Sequence, residues 1–325
     1  MCPCWGVGET INVSMAVFSK QHNAYLEHIH KEAKTGIVAL ENLFVTIQND
    51  TSLDSDEMYD LFYYLSAYYA HLGYLAKSRH LADSYVMNLI KQEENNRKER
   101  TLFLFRKVDK HIINDLKNEK LTAGCHKGFN DPFDPLVKKI FELKSQNEIG
   151  CSHLIPSLDN VHITCFAEKG NSKKEPYQNT LMWAHYAAKH QGICIQIKVP
   201  SSFPAIDKDH EYLQYGRLDN VVYTNKKISL AKKKATYQEC FLQKQTEWKY
   251  EHEVRFVYFD RTQTKDYLQI DLGDCEVEAI YFGTSCTSRI QKRVMKAMQG
   301  KTVDFYQMVP NPRDLYTLQA KTLER

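Results

Sequence analysis

A chain of 325 residues, 43% hydrophobic and 26% charged, has the composition of an ordinary globular protein and enough length for about two domains. The formal net charge of +3 is too small to imply nucleic-acid binding by itself, so any such argument must rest on local clusters. No apolar run approaches the ~18 residues of a membrane span, and the start MCPCWGVGETINVS lacks a basic region followed by an apolar stretch, so no membrane partner and no secretory leader are expected.

The nine cysteines are odd in number and scattered, and no Cys-x-x-Cys pair suggests structural zinc. This usage fits a reducing, cytoplasmic compartment. Residues 1–98 read as a helical N-terminal module. Asp54 or Ser55 offers an N-cap, Leu61, Leu65, Tyr68, Tyr69 and Leu72 follow helical spacing, and His71-Leu72-Gly73 breaks the run. Leu75, Ala82, Tyr85, Val86 and Leu89 continue it as a second helix, giving a tetratricopeptide-like hairpin without any repeat at a fixed period. The aromatic stripe is expected in the core.

From Thr101 the texture changes, and 101–325 reads as one α+β catalytic domain. Strands are predicted at 101–105, 161–167, 193–199, 218–224, 267–272 and 277–283. Helices are predicted at 109–120, 136–146, 179–192 (ended by Gly192), 232–244 and 288–300. Elements mix without regular βαβ alternation, which points to a mixed or antiparallel sheet. The stretch TEWKYEHEVRFVYFD, Thr246–Asp260, alternates as a strand and sets Glu251, Glu253 and Arg255 on one face. On a strand the two carboxylates would lie about 7 Å apart. Charges entering a core are costly unless paired or used.

Other motifs have a plain and a functional reading. The turn GFNDPFDPL is a proline-set turn and helix cap, or a rigid loop presenting Asn130 and Asp131 to a polar ligand. In LMWAHY, Trp183 and Tyr186 can stack on a ring or simply pack, with His185 beside them. Lys226, Lys227, Lys232, Lys233 and Lys234 form the strongest positive cluster, either a solvated surface or a phosphate-binding patch. No dinucleotide glycine motif, P-loop or metal-binding His-Glu-x-x-His helix is written, and no metal is expected.

Taken in order, LFLFR ending at Arg106, FNDPFD at Phe129–Asp134, LMWAHY at Leu181–Tyr186, Val221 with Tyr223, and Lys244, Trp248, Tyr250, Glu251, Glu253 and Arg255 resemble a widespread bacterial family of domains with no assigned function. Such domains resemble the ADP-ribosyltransferase superfamily, which includes DarT-type toxins that modify nucleic acid. The resemblance implies an ADP-ribosyltransferase-like sheet and NAD as substrate. It implies Glu253 as catalytic acid at the ribose, Glu251 as its acceptor-side helper, and Arg255 holding Glu253 ionised or binding phosphate. Arg106, Asn130, Asp131, Trp183, His185 and Tyr186 would contact NAD. The lysine cluster would meet a nucleic-acid acceptor, RNA before DNA. A toxin or antiviral defence role follows, with the helical module binding an antitoxin or regulatory protein. Two rival readings stand: a Mg2+-dependent nuclease using Glu247, Lys249 and Asp131, and a non-enzymatic adaptor.

Overall fold

The computed structural model describes residues 20–32, 34–53, 98–125, 161–171, 173–203, 214–226, 240–260 and 265–324, with isolated positions between them. The chain divides into two compact units, residues 1–96 with 231–233, and residues 97–230 with 234–325.

In the smaller unit, helix Lys20–Glu32 buries His22, Tyr25, Leu26 and Ile29, the spacing that aligns side chains on one helical face. Helix Ile37–Gln48 buries Leu40, Leu43 and Ile47 in the same way. These side chains join Leu61, Phe62, Leu65, Tyr69 and Leu81 in one core. The aromatic stripe is therefore core at Tyr69, while half-buried Tyr68 hydrogen-bonds His30. Gly73, at the expected break, has φ +85° in a turn. The expected cap at Asp54 or Ser55 lies outside the described residues.

The larger unit is built on a ten-stranded sheet. Its strands are β1 Arg100–Arg106, β2 Lys120–Cys125, β3 Val161–Glu168, β4 Ile193–Val199, β5 Gln214–Asn220, β8 Glu253–Asp260, β9 Tyr267–Asp271, β10 Glu276–Phe282, β11 Asp304–Asn311 and β12 Asp314–Thr322. A separate parallel pair joins β6 Val222–Tyr223 to β7 Gln243–Lys244. Among the described residues of the large sheet, only β10 and β11 run parallel. The fold is thus mixed α and β with a mostly antiparallel sheet.

The sheet forks at β3. One edge of β3 carries β8 along its length, from Val161 opposite Phe259 to Ala167 opposite Glu253. The other edge is shared. Its end, Ala167–Glu168, pairs with Leu102–Phe103 of β1, and its beginning, His162–Ile163, pairs with Gly124–Cys125 of β2. Beyond Phe103, β1 leaves β3 and stays only with β4.

Both faces are covered. Leu102, Leu104, Ile195, Ile197, Val254 and Phe256 pack with Ile112, Leu116 and Val294 from helices Lys110–Asn118 and Ser288–Ala297. On the opposite face, Phe103, Phe105, Ala167, Cys194 and Tyr281 pack with Met182 and Trp183 from helix Thr180–Tyr186. Alternation along β1 and β8 therefore sends neighbours to different layers.

The ends of two expected helices move. The helix predicted to reach Gly192 ends at Tyr186, because Ala188, Lys189 and His190 take positive φ and fold the chain back, with the His190 N–H donating to the Trp183 carbonyl. Gly192 is needed for close approach instead: a Cβ there would collide with the Arg106 carbonyl oxygen. Gln243–Lys244, expected at a helix end, is strand β7. The hairpin β11–β12 and strand β2 carry no expectation from sequence. The predicted helix at 136–146 lies outside the described residues.

Candidate active site: a bridged carboxylate pair

The expected strand through Thr246 begins only at Glu253. Thr246–Glu251 forms a 3-10 turn, and His252 sits in the left-handed region at φ 44°, ψ 53°. Alternation in WKYEHEV mimics a strand, but His252 breaks it, so Glu251 and Glu253 are not neighbours on one strand face. Lys244, brought in by β7, reconnects them. Its Nζ lies 2.6 Å from Glu251 Oε2, 3.0 Å from Glu253 Oε2 and 3.4 Å from Asp134 Oδ2.

Arg255 completes the network. Its Nε donates to Glu253 Oε1 at 2.7 Å, one terminal nitrogen donates to Asp134 Oδ2 at 2.6 Å, and the other donates to the Phe241 carbonyl at 2.7 Å. Arg255 is 0% exposed, Glu251 3% and Glu253 4%. Ions this deep are tolerated when paired and hydrogen-bonded. Tyr186 O–H donates to Glu251 Oε1 at 2.5 Å, and the Glu253 N–H donates to the Tyr223 hydroxyl at 2.8 Å. Among the described residues, Asp134 Oδ1 is buried without a hydrogen-bond partner.

The two glutamates are driven apart electrostatically. Burial raises the pKa of Glu251, and Lys244 with the Tyr186 and Lys244 hydrogen bonds offsets this only in part. Burial acts on Glu253 in the same sense, but the charges of Arg255 and Lys244 outweigh it and hold Glu253 at about 2. Lys244 is kept protonated against burial by Glu253, Asp134 and Glu251. The surroundings thus raise the pKa of one carboxyl and lower that of its neighbour, the pattern by which acid and base roles separate.

An aromatic group borders Glu251. The Lys244 ammonium sits 4.9 Å from the Trp248 ring centre. His185, exposed, meets Trp248 edge-on at 6.1 Å and Tyr186 at 6.0 Å, and Tyr250 lies 6.2 Å from Trp248. Beside Glu253 a cavity of about 180 Å³ is lined by Asn220, Tyr223, Lys249 and His252 among others.

The structure gathers Glu251, Glu253, Arg255, Tyr186 and His185. It separates two other expected residues from them. Trp183 is not a stacking surface: it is 0% exposed, lies edge-on to Phe105 and donates its Nε1–H to the Tyr177 carbonyl. Arg106 follows Phe105 on β1 and so lies on the other face of the sheet, lining a different cavity. Half-buried Asp131 accepts the Asp134 N–H through its carbonyl, holding the turn that delivers Asp134. Of the lysine cluster only exposed Lys226 is described. Asn130, Lys227, Lys232, Lys233 and Lys234 lie outside the described residues, as does most of the predicted helix at 232–244. Glu247 and Lys249, the nuclease candidates, are exposed on the 3-10 turn.

Lys244, Trp248 and Asp134 gain roles that local sequence did not assign. Arg255 and Asp134 are 121 positions apart, so no periodicity links them. Among the described residues no helix is long and apolar enough to cross a membrane. No curated protein and no solved structure matches the chain. Residues 182–256 match a family model described as a protein of unknown function (DUF2971). The segment similar to that family takes in Tyr186, Lys244, Trp248, Glu251, Glu253 and Arg255, all the described side chains of the network except Asp134.

Proposed function

We propose that the larger unit transfers ADP-ribose from NAD to a nucleic-acid acceptor, with Glu251 as the group that moves a proton and Glu253 as its fixed anionic neighbour. The observation that carries this reading is the buried pair itself: Glu251 and Glu253 share the Lys244 ammonium at 2.6 and 3.0 Å, in surroundings that push their pKa values in opposite directions. Loss of nicotinamide makes the ribose carbon cationic. Three carboxylates, Asp134, Glu251 and Glu253, against two cations, Lys244 and Arg255, leave a surplus negative charge when all are ionised, which favours such a centre. Glu251, with its raised pKa, suits deprotonation of the incoming nucleophile. Both Glu253 oxygens are engaged by Arg255 and Lys244, and both Glu251 oxygens by Tyr186 and Lys244, so it is the raised pKa of Glu251 that assigns it the proton-transfer role.

The cavity beside Glu253, about 180 Å³, admits one sugar or nicotinamide ring, whereas whole ligands occupy roughly 300–1,000 Å³. The remainder of NAD would therefore lie outside it. His185, Trp248 and Tyr250 offer aromatic faces for an acceptor base next to Glu251. The nuclease alternative has less support, since Glu247 is exposed on the 3-10 turn and the Asp131 contact described above is a backbone one that holds the turn. The test is incubation of the full chain with NAD labelled in its adenylate half, plus separate RNA, DNA and protein fractions. Label on a nucleic-acid fraction, insensitive to EDTA and reduced by two orders of magnitude or more in Glu251→Gln, supports the reading. Unconsumed NAD, or a fully active Glu251→Gln, overturns it.

A further inference from the structure

A second cavity, of about 650 Å³, lies on the face of the sheet opposite the carboxylate network. Its walls come from β1, β2, β4 and β10, from helix Lys110–Asn118 and from residues 298–303. Leu104, Ile112, Leu116, Leu121, Ile195 and Met298 are apolar core residues that line it. Protein cores are close-packed, and a void of roughly 150 Å³ with such walls already takes up benzene. A pocket of about 650 Å³ lies within the range of roughly 300–1,000 Å³ that small ligands occupy.

One cation facing this space, Arg106, has donors beyond its single hydrogen bond, with Asp109 and Asp115 within electrostatic reach. Arg106 is half-buried, and among the described residues its guanidinium donates a single hydrogen bond, to the adjacent Phe105 carbonyl at 3.2 Å. A guanidinium carries five donors in a planar fork suited to an oxyanion. The other charges on the wall are engaged or peripheral, Lys120 lying 4.0 Å from Asp271. Asp115 accepts from the Thr122 N–H and Gln269, Lys301 is tied to the Leu116 and Lys117 carbonyls and Glu119, Glu278 accepts from Gln196, and Glu276 is exposed.

We propose that this cavity binds a small amphipathic monoanion, a hydrocarbon body with one carboxylate head held by Arg106. The proposal is independent of the NAD reading, because it uses the other face of the sheet. The experiment titrates the full chain with decanoate, decanol and decyltrimethylammonium by calorimetry, with thermal shift in parallel. Decanoate is expected to bind at least tenfold more tightly than either control. Arg106→Gln is expected to erase that preference while retaining decanol binding, and Leu116→Trp, which fills the cavity, to abolish binding of both. Glu251→Gln is expected to leave decanoate affinity unchanged. Equal affinity for decanoate and decanol, absence of any binding, or wild-type binding by Leu116→Trp would overturn the proposal even if Arg106→Gln failed to fold.

Discussion

Glu251 and Glu253 share the ammonium of Lys244, at 2.6 and 3.0 Å, yet their pKa values move in opposite directions. A carboxyl whose pKa is raised by the fold destabilises the fold when it ionises, and one whose pKa is lowered stabilises it. Glu251→Gln is therefore expected to unfold at the same temperature as wild type at pH 8, or higher, while NAD turnover falls 10²–10⁴-fold, as for loss of a proton-transfer group. Glu253→Gln leaves Arg255 without its principal partner in a dry site and is expected to lose about 3–5 kcal/mol. Urea denaturation and NAD consumption, measured on both variants, check the contrast. Full activity of Glu251→Gln in cells would favour a non-enzymatic adaptor.

Acid stability follows from the same pair. Glu253, held at about 2 against an ordinary value of 4.5, contributes stability that is present above pH 4.5 and is lost as pH falls toward 2. Glu251 has the reverse sign, and its ionisation above the ordinary carboxylate range costs stability as pH rises. Chemical denaturation across a pH series is expected to show a steep acid limb in wild type. In Glu253→Gln that limb is expected to be flattened.

The aromatic border of Glu251 makes a prediction about the acceptor. Trp248→Ala removes a ring that stands over the Lys244 ammonium and beside exposed His185. Loss of one base-stacking ring costs about 1–3 kcal/mol. Steady-state kinetics are expected to show KM for the nucleic-acid acceptor rising by about 5–150-fold, with NAD hydrolysis in its absence little changed.

Gly192 tests the packing that closes the Thr180–Tyr186 turn. An added Cβ would collide with the Arg106 carbonyl and lie 2.9 Å from the Ala187 oxygen. Both are backbone atoms and cannot rotate away. Gly192→Ala is expected to destabilise by about 1–3 kcal/mol in equilibrium unfolding.

The sheet was largely legible because β1, β3, β4 and β10 are short apolar runs that lie close to their expected limits. The site was legible in its residue types more than in its geometry. A histidine in the left-handed region leaves no signal in an alternating run, so alternation alone starts the strand at Thr246, seven residues before β8 begins. Lys244 looked like a helix end because β7 is only two residues long and its partner, β6, is distant in sequence. Phe105 and Arg106 differ in face by parity alone, and parity cannot say which layer holds the carboxylates until β3 and β8 are paired.

The fork at β3 also sets an order of assembly. Since β1 and β2 share one border of β3 and β8 occupies the other, neither arm can be zipped to its neighbour before Val161–Glu168 has been synthesised. Such non-local pairing slows folding. The keystone strand is then expected to be the last to let go: deuterium uptake at Thr164, Cys165 and Phe166 will report opening of the entire larger unit rather than local fraying.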